Sequence, residues 1–153
     1  MAGLTHIDDQ GDAVMVDVGD KTPTRREAIA TGRIHLGAAA ATAVRNHTAK
    51  KGDVLAVAQL AGIQAAKRTG ELIPLCHPLF LSGIRVTLRL DEDATAVVCR
   101  ARVRTEGRTG VEMEALTAVC VALLTVYDML KAVDPQMRID GVELVQKTKT
   151  PLS

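Results

Sequence analysis

At 153 residues and 16.3 kDa, the chain has the length of one domain with a genuine core and leaves no room for a second. Its 19 basic and 18 acidic residues give a formal net charge of +1, so no global field selects nucleic acid or a membrane surface and any electrostatic specificity is local. One Phe, one Tyr and no Trp leave the core to Ala, Val, Leu and Ile, whose smaller buried areas predict that oligomerisation adds to stability.

The first ten residues, M-A-G-L-T-H-I-D-D-Q, carry acids where a signal peptide needs an apolar run. Residues 1–24 show little periodicity beyond Met15, Val16, Asp17 and Val18 and end in the turn-prone G-D-K-T-P-T, so they are expected to form an extended arm. Residues 25–35 read weakly as a first strand, because Ala28, Ala30 and Gly32 are poor strand formers and Ile29 and Ile34 do not share one alternation. The alanine-rich run 37–46 reads as a short helix. Residues 53–68 predict a second helix with an acid in its first turn, bases in its last, and Gly70 placed to stop it. In L-I-P-L-C-H-P, two prolines bracket Leu75, Cys76 and His77 and impose a rigid, shaped loop.

A hairpin follows. Ile84, Val86, Leu88 and Leu90 alternate with Arg85, Thr87 and Arg89, and Val97, Cys99, Ala101 and Val103 alternate with Val98, Arg100, Arg102 and Arg104, which predicts strands over 84–90 and 96–104. Residues 109–131 predict a long helix, apolar within and charged at both ends, with Thr109 and Glu112 spaced as a capping box. Such a helix expects a sheet behind it and another chain in front. A last strand is predicted over 139–147, leaving 148–153 as a short flexible tail. The order strand, helix, helix, strand, strand, helix, strand is that of an α+β, ferredoxin-like domain: a four-stranded antiparallel sheet with helices packed on one face.

Cys76, Cys99 and Cys120 match no zinc or iron-sulfur spacing and leave an odd thiol if two pair. The reading is reduced thiols in a cytoplasmic protein. No stretch reaches the roughly 20 uninterrupted apolar residues of a membrane span.

Asp128 and Lys131, three apart on one helix, make an ordinary surface ion pair on the plainest account. Their place at the end of an almost wholly apolar helix argues otherwise, since a partly desolvated lysine is competent as acid or base near neutral pH. Glu112 is assigned to the cap, which leaves Glu114 the freer carboxylate. His77 is held between Pro74 and Pro78 as general catalysis requires, although a backbone-bonded loop histidine is the commoner outcome. Nucleophilic catalysis by Cys76 ranks low, because neighbours in an extended loop point apart. Lys50, Lys51, Lys67, Arg68, Arg25, Arg26, Arg104 and Arg108 lie near element ends, where they are usually solvated yet suit a polyphosphate. The five arginines of the hairpin's outer face invite an RNA-binding reading, but Phe80 and Tyr127 are the only aromatics and neither lies on those strands.

The motifs K-G-D-V (51–54), A-G-I-Q-A-A-K-R-T (61–69), L-I-P-L-C-H-P-L (72–79), T-G-V-E-M-E-A-L-T-A (109–118) and Y-D-M-L-K-A (127–132) closely resemble the molybdenum cofactor biosynthesis protein C family, the cyclic pyranopterin monophosphate synthases. The resemblance implies a ferredoxin-like subunit in a homohexamer, a trimer of dimers with active sites at dimer interfaces. It implies conversion of 3′,8-cyclised dihydro-GTP, made by a preceding radical enzyme, to cyclic pyranopterin monophosphate with release of pyrophosphate. It makes Asp128 and Lys131 the catalytic pair and Lys51 a further functional lysine. Leu75, Cys76, His77, Met113 and Glu114 fall in substrate-binding motifs, and Glu112, Arg26 and Lys147 at pocket positions. No metal site or cofactor is called for, with Mg2+ carried by the triphosphate left open. Where relatives often continue into K-S-G-G-K, this chain reads K-T-K-T-P-L-S, which removes the basis for a tail contact to phosphate. A non-catalytic ferredoxin-like oligomer that binds nucleotides is the alternative, and it has no need of the Asp128 and Lys131 pair.

Glu112 and Asp128 are separated by about 24 Å along the helix, at about 1.5 Å per residue. If both ends serve one pocket, that pocket is expected to be shared between subunits.

Overall fold

The computed structural model describes residues 5–153. Its elements are β1 (Thr24–His35), α1 (Ala38–Arg45), α2 (Val54–Lys67), α3 (Thr69–Leu72), β2 (Leu81–Leu90), β3 (Ala96–Gly107), α4 (Glu112–Leu130) and β4 (Arg138–Pro151). The strands form one sheet in the order β2-β3-β1-β4, with every neighbouring pair antiparallel. β1 and β2 therefore run the same way, and α2 and α4 pack on the face between their connections. This is the ferredoxin-like arrangement expected from the order of elements.

The weakly predicted first strand is a central strand, because its core-facing residues are small. Ala28, Ala30 and Ile34 are fully buried, and a Cβ on Gly32 would lie 2.8 Å from Val119 Cγ1, 3.0 Å from Val142 Cγ2 and 3.1 Å from Leu123 Cδ1. Small side chains are what let α4 lie close on the sheet. Gly32→Ala is expected to cost about 1–3 kcal/mol through overpacking, seen as a lower urea midpoint at unchanged m-value.

Helix α2 is capped by Asp53, whose carboxylate accepts from the Ala56 N–H at 3.1 Å. It ends at Lys67, and Gly70 does not stop it: Gly70 lies within α3, where a Cβ would come 3.3 Å from the Pro78 Cα. The capping box expected of Thr109 and Glu112 does not form. Helix α4 starts at Glu112 with Val111 as its N-cap and no side-chain cap bond, so Glu112 sits one residue past the cap instead of three.

α4 buries Ala115, Ala118, Val119, Ala122, Leu123, Val126, Met129 and Leu130, a stripe along one side, while Leu124 is exposed. By length and composition it would suffice to cross a bilayer, yet it packs on β1, β3, β4 and α2, as a core helix does. The expectation of burial on more than one side holds only in part for the single chain. Val57 and Leu60 of α2 are exposed as well.

In the hairpin, Asp91 accepts from the Thr95 and Ala96 N–H groups at 2.8 and 3.0 Å. On the outer face of the sheet, Glu27 accepts from Arg102 Nε at 2.8 Å and Arg104 Nε at 2.6 Å. β4 pairs with β1 from His35↔Arg138 to Thr24↔Pro151, so residues 148–151 continue the strand and are not a flexible tail. The end of this edge strand is exposed, which is why no apolar alternation announced residues 148–151. The arm is not simply extended either: Ile7 bridges Ala13, and Asp8 Oδ1 accepts from the Gln10 and Asp12 N–H groups at 2.9 Å each.

Candidate active site

Helix α4 carries a charged group at each end. At its C-terminal end, Asp128 Oδ1 accepts from Lys131 Nζ at 2.8 Å and Oδ2 from Lys51 Nζ at 2.7 Å. Lys51 Nζ also reaches the Asp128 backbone oxygen at 3.3 Å. Lys51 comes from the loop between α1 and α2, beside Gly52 at φ +107°, a left-handed conformation that favours glycine. A loop and a helix far apart in sequence thus converge on one carboxylate.

The electrostatics follow from that geometry. Lys131 and then Lys51 hold the Asp128 carboxyl down to about 2, and Asp128 raises the Lys131 ammonium above the usual lysine range. The three side chains are each about half exposed, so the desolvated lysine expected from sequence is absent in the single chain. Here Lys131 is a proton donor. Because the folded pKa of Asp128 lies below its unfolded value of about 3.9, the pairing favours the folded chain above about pH 4 and is lost as pH falls through about 2. An NMR titration of the Asp128 carboxyl should give a midpoint near about 2, moving up in Lys131→Ala.

At the opposite end, Leu75, Cys76, His77, Glu112, Met113 and Glu114 line a cavity of about 340 Å³. Glu114 is 4% exposed. Burial pushes its carboxyl up, and Glu112 adds to the rise. Burial also raises the Cys76 thiol, followed by Glu114 and Glu112, and His77 Nε2 bonds the Val16 carbonyl at 2.6 Å. A raised thiol beside an occupied imidazole does not make a nucleophilic pair.

A neighbouring hollow of about 250 Å³ is lined by Arg26, Glu27, Glu112, Lys147 and Lys149 among others. Lys147 Nζ lies 3.3 Å from Glu112 Oε1, so Glu112, freed from capping, is an ion-pair partner. Arg26 Nε donates to Thr24 Oγ1 at 2.6 Å, and its Nη2 to the Arg108 carbonyl at 3.4 Å. Glu112 and Gly110 border both hollows. A Cβ on Gly110 would meet the Glu112 carboxylate, the mobile end of a flexible side chain, and would turn it aside.

The predicted site residues therefore fall into two groups. Arg26, Leu75, Cys76, His77, Glu112, Met113, Glu114 and Lys147 gather at the start of α4, and Lys51, Asp128 and Lys131 at its end. One chain does not bring them together. The structure adds Thr5, His6, Val16, Val18 and Lys21 to the cavity lining, residues that sequence reasoning left in a featureless arm. Among the described residues, no cluster of three or more His, Cys, Asp or Glu is placed to hold a metal ion.

The MoaC family model matches residues 15–150, a span that contains both groups. The chain belongs to the MoaC family. It is 59% identical to the cyclic pyranopterin monophosphate synthase of Thermomicrobium roseum over 147 residues, which covers 96% of this chain and 89% of that protein. Proteins of the same name from Heliobacterium modesticaldum and Pelotomaculum thermopropionicum are 56% and 55% identical, each over 97% of this chain and over 93% and 87% of their own lengths. The MoaC match begins within the arm, so Val16, Val18 and Lys21 belong to the matched region.

Proposed function

We propose that this MoaC-family chain is a cyclic pyranopterin monophosphate synthase, a lyase of molybdenum cofactor biosynthesis. It converts 3′,8-cyclo-7,8-dihydro-GTP to cyclic pyranopterin monophosphate and releases pyrophosphate. The observation that carries this reading is identity of 55–59% over nearly the whole chain to proteins of that name. The assay is anaerobic incubation with the cyclised GTP, in which both products should appear together. Failure of the wild-type chain to form them would overturn it.

The charge arrangement supports assigned roles. Opening the imidazole ring of the substrate and reclosing it as a pterin requires proton transfers, which Asp128, Lys131 and Lys51 are suited to make. In the free chain both lysines are ion-paired to Asp128, and covering the group with substrate and a second chain would desolvate an ammonium and ease its proton loss. Closing the cyclic phosphate is attack of a ribose-derived hydroxyl on the α-phosphorus, with pyrophosphate leaving. Arg26 and Lys147, which line one hollow, are cations suited to the departing charge. Leu75, Cys76, His77, Met113 and Glu114 would contact the rest of the substrate. No cofactor enters this scheme, and Mg2+ would arrive with the triphosphate.

The site is completed by a second subunit in a homohexamer, a trimer of dimers. Support comes from the separation of the two groups along α4 and from the exposed Val57, Leu60 and Leu124. The three free thiols favour a cytoplasmic enzyme, working after the radical enzyme that makes its substrate.

A further inference from the structure

We infer that the N-terminal arm is part of the substrate site, with Lys21 a further substrate-contacting residue and His77 the positioning residue that holds the arm over the cavity. The inference rests on the proposed synthase reading for the nature of the substrate. The tether itself rests on geometry alone.

The arm has a shape of its own. The Val14 N–H donates to the His6 carbonyl at 2.9 Å, and the Lys21 N–H to the Val18 carbonyl at 3.0 Å. Most of it is exposed, with only Val16 and Val18 half-buried. Among the described residues, one hydrogen bond joins residues 5–23 to the rest of the fold: His77 Nε2 to the Val16 carbonyl, at 2.6 Å. A carbonyl only accepts, so Nε2 carries the proton and the imidazole is used as a donor. A segment with so little apolar burial and one anchoring bond opens at low free-energy cost. The prolines on either side of His77 fix where the anchor stands.

The charge of the cavity gives the arm its second task. Glu112 and Glu114 both line it, and Lys21 is the one lysine or arginine among its lining residues. Arg26 and Lys147 serve the adjoining hollow. A triphosphate-bearing substrate that extends past Glu112 meets carboxylates, which repel it unless a cation faces them from the open side. Lys21 supplies that cation only with the arm down. Binding and closure are then linked, and substrate must hold the arm closed by as much as the closed arm favours substrate.

Hydrogen exchange and direct binding test this, with Lys131→Ala as the background so that substrate is not consumed. Without substrate, His77→Ala should speed exchange of the amides of residues 13–18 about tenfold or more while β1 amides keep their rates. Adding cyclised GTP to the His77-intact protein should slow exchange in the arm. Lys21→Met should raise the Kd for cyclised GTP about tenfold, the scale of one charge-assisted contact, and Lys21→Arg should recover most of it. Arm exchange unaffected by His77→Ala would overturn the tether, and an unchanged Kd in Lys21→Met would overturn the contact. The exchange readout needs no turnover. A wild-type chain that makes no product but whose arm responds to His77→Ala would sink the synthase reading and leave the tether standing, whereas no binding of cyclised GTP at all would overturn both the synthase reading and the role of Lys21.

Discussion

Lys131→Ala is expected to lower turnover of the cyclised GTP by about 100- to 10,000-fold, the range for losing a positioned acid or base, while the chain still folds and assembles. The fold should tolerate the change because Lys131 is half exposed and, among the described residues, its side chain pairs only with Asp128, and exposed pairs contribute little to stability. Asp128 keeps Lys51 at 2.7 Å, so the carboxylate stays charged and partnered. A large loss in kcat with an unchanged circular-dichroism spectrum and oligomer mass would therefore place Lys131 in the chemistry. Near-normal turnover would sink that assignment. Lys51→Ala combined with Lys131→Ala should cost much less than the product of the single losses, because both lysines act through one carboxylate. The pH profile carries a further signature. Asp128 remains ionised down to about 2, so its protonation should produce no acid limb in the assay range, whereas activity that needs the Lys131 ammonium should fall as pH rises through the pKa of that ammonium, which Asp128 raises in the free chain and covering by substrate lowers again.

The parts of the fold legible in the sequence are those in which large apolar residues mark one face. The β2–β3 hairpin and α4 are of this kind; α2, whose buried residues are Val54, Ala58, Gly62, Ala65 and Ala66, is the exception and is legible from its charged ends. β1 is fainter because close packing on α4 selects Ala28, Ala30 and Gly32 for smallness, which removes the alternation that reveals a strand. The last residues of β4 are hidden for the opposite reason, since they pair along an exposed edge and bury little. The spacing of Thr109 and Glu112 satisfied a capping rule at the wrong place, because α4 starts at Glu112 and that residue turns to Lys147 instead. In the site, the Asp128–Lys131 contact follows from helical spacing, but Lys51 reaches Asp128 across 77 positions and only tertiary structure brings it there. The arm's contribution rests on one side-chain bond to a backbone carbonyl, and local pattern has no means of expressing it.

Two inactive variants, mixed, should restore activity to about a quarter of the wild-type level if each site takes the start of α4 from one subunit and its end from another. Glu114→Ala disables only the N-terminal half-site and Lys131→Ala only the C-terminal one. In a two-fold symmetric dimer holding one copy of each, one site receives both defects and the other neither. Random exchange makes about half the dimers mixed, and half the sites of each mixed dimer are intact, which gives the quarter. A site contained in one chain predicts no recovery at any mixing ratio, because every chain then carries a defect of its own. The single-chain geometry already weighs against that arrangement: the groups lie at opposite ends of a helix spanning Glu112–Leu130, about 24 Å apart along the axis from Glu112 to Asp128, and the core-facing stripe of Ala118, Val119, Ala122 and Leu123 packs between them. Co-refolding the variants allows exchange where the assembled oligomer does not, so recovery after refolding but not after simple mixing would locate the shared site at an interface that seldom opens. The apolar middle of α4 then keeps its two charged ends apart within one subunit and leaves each to be completed by another.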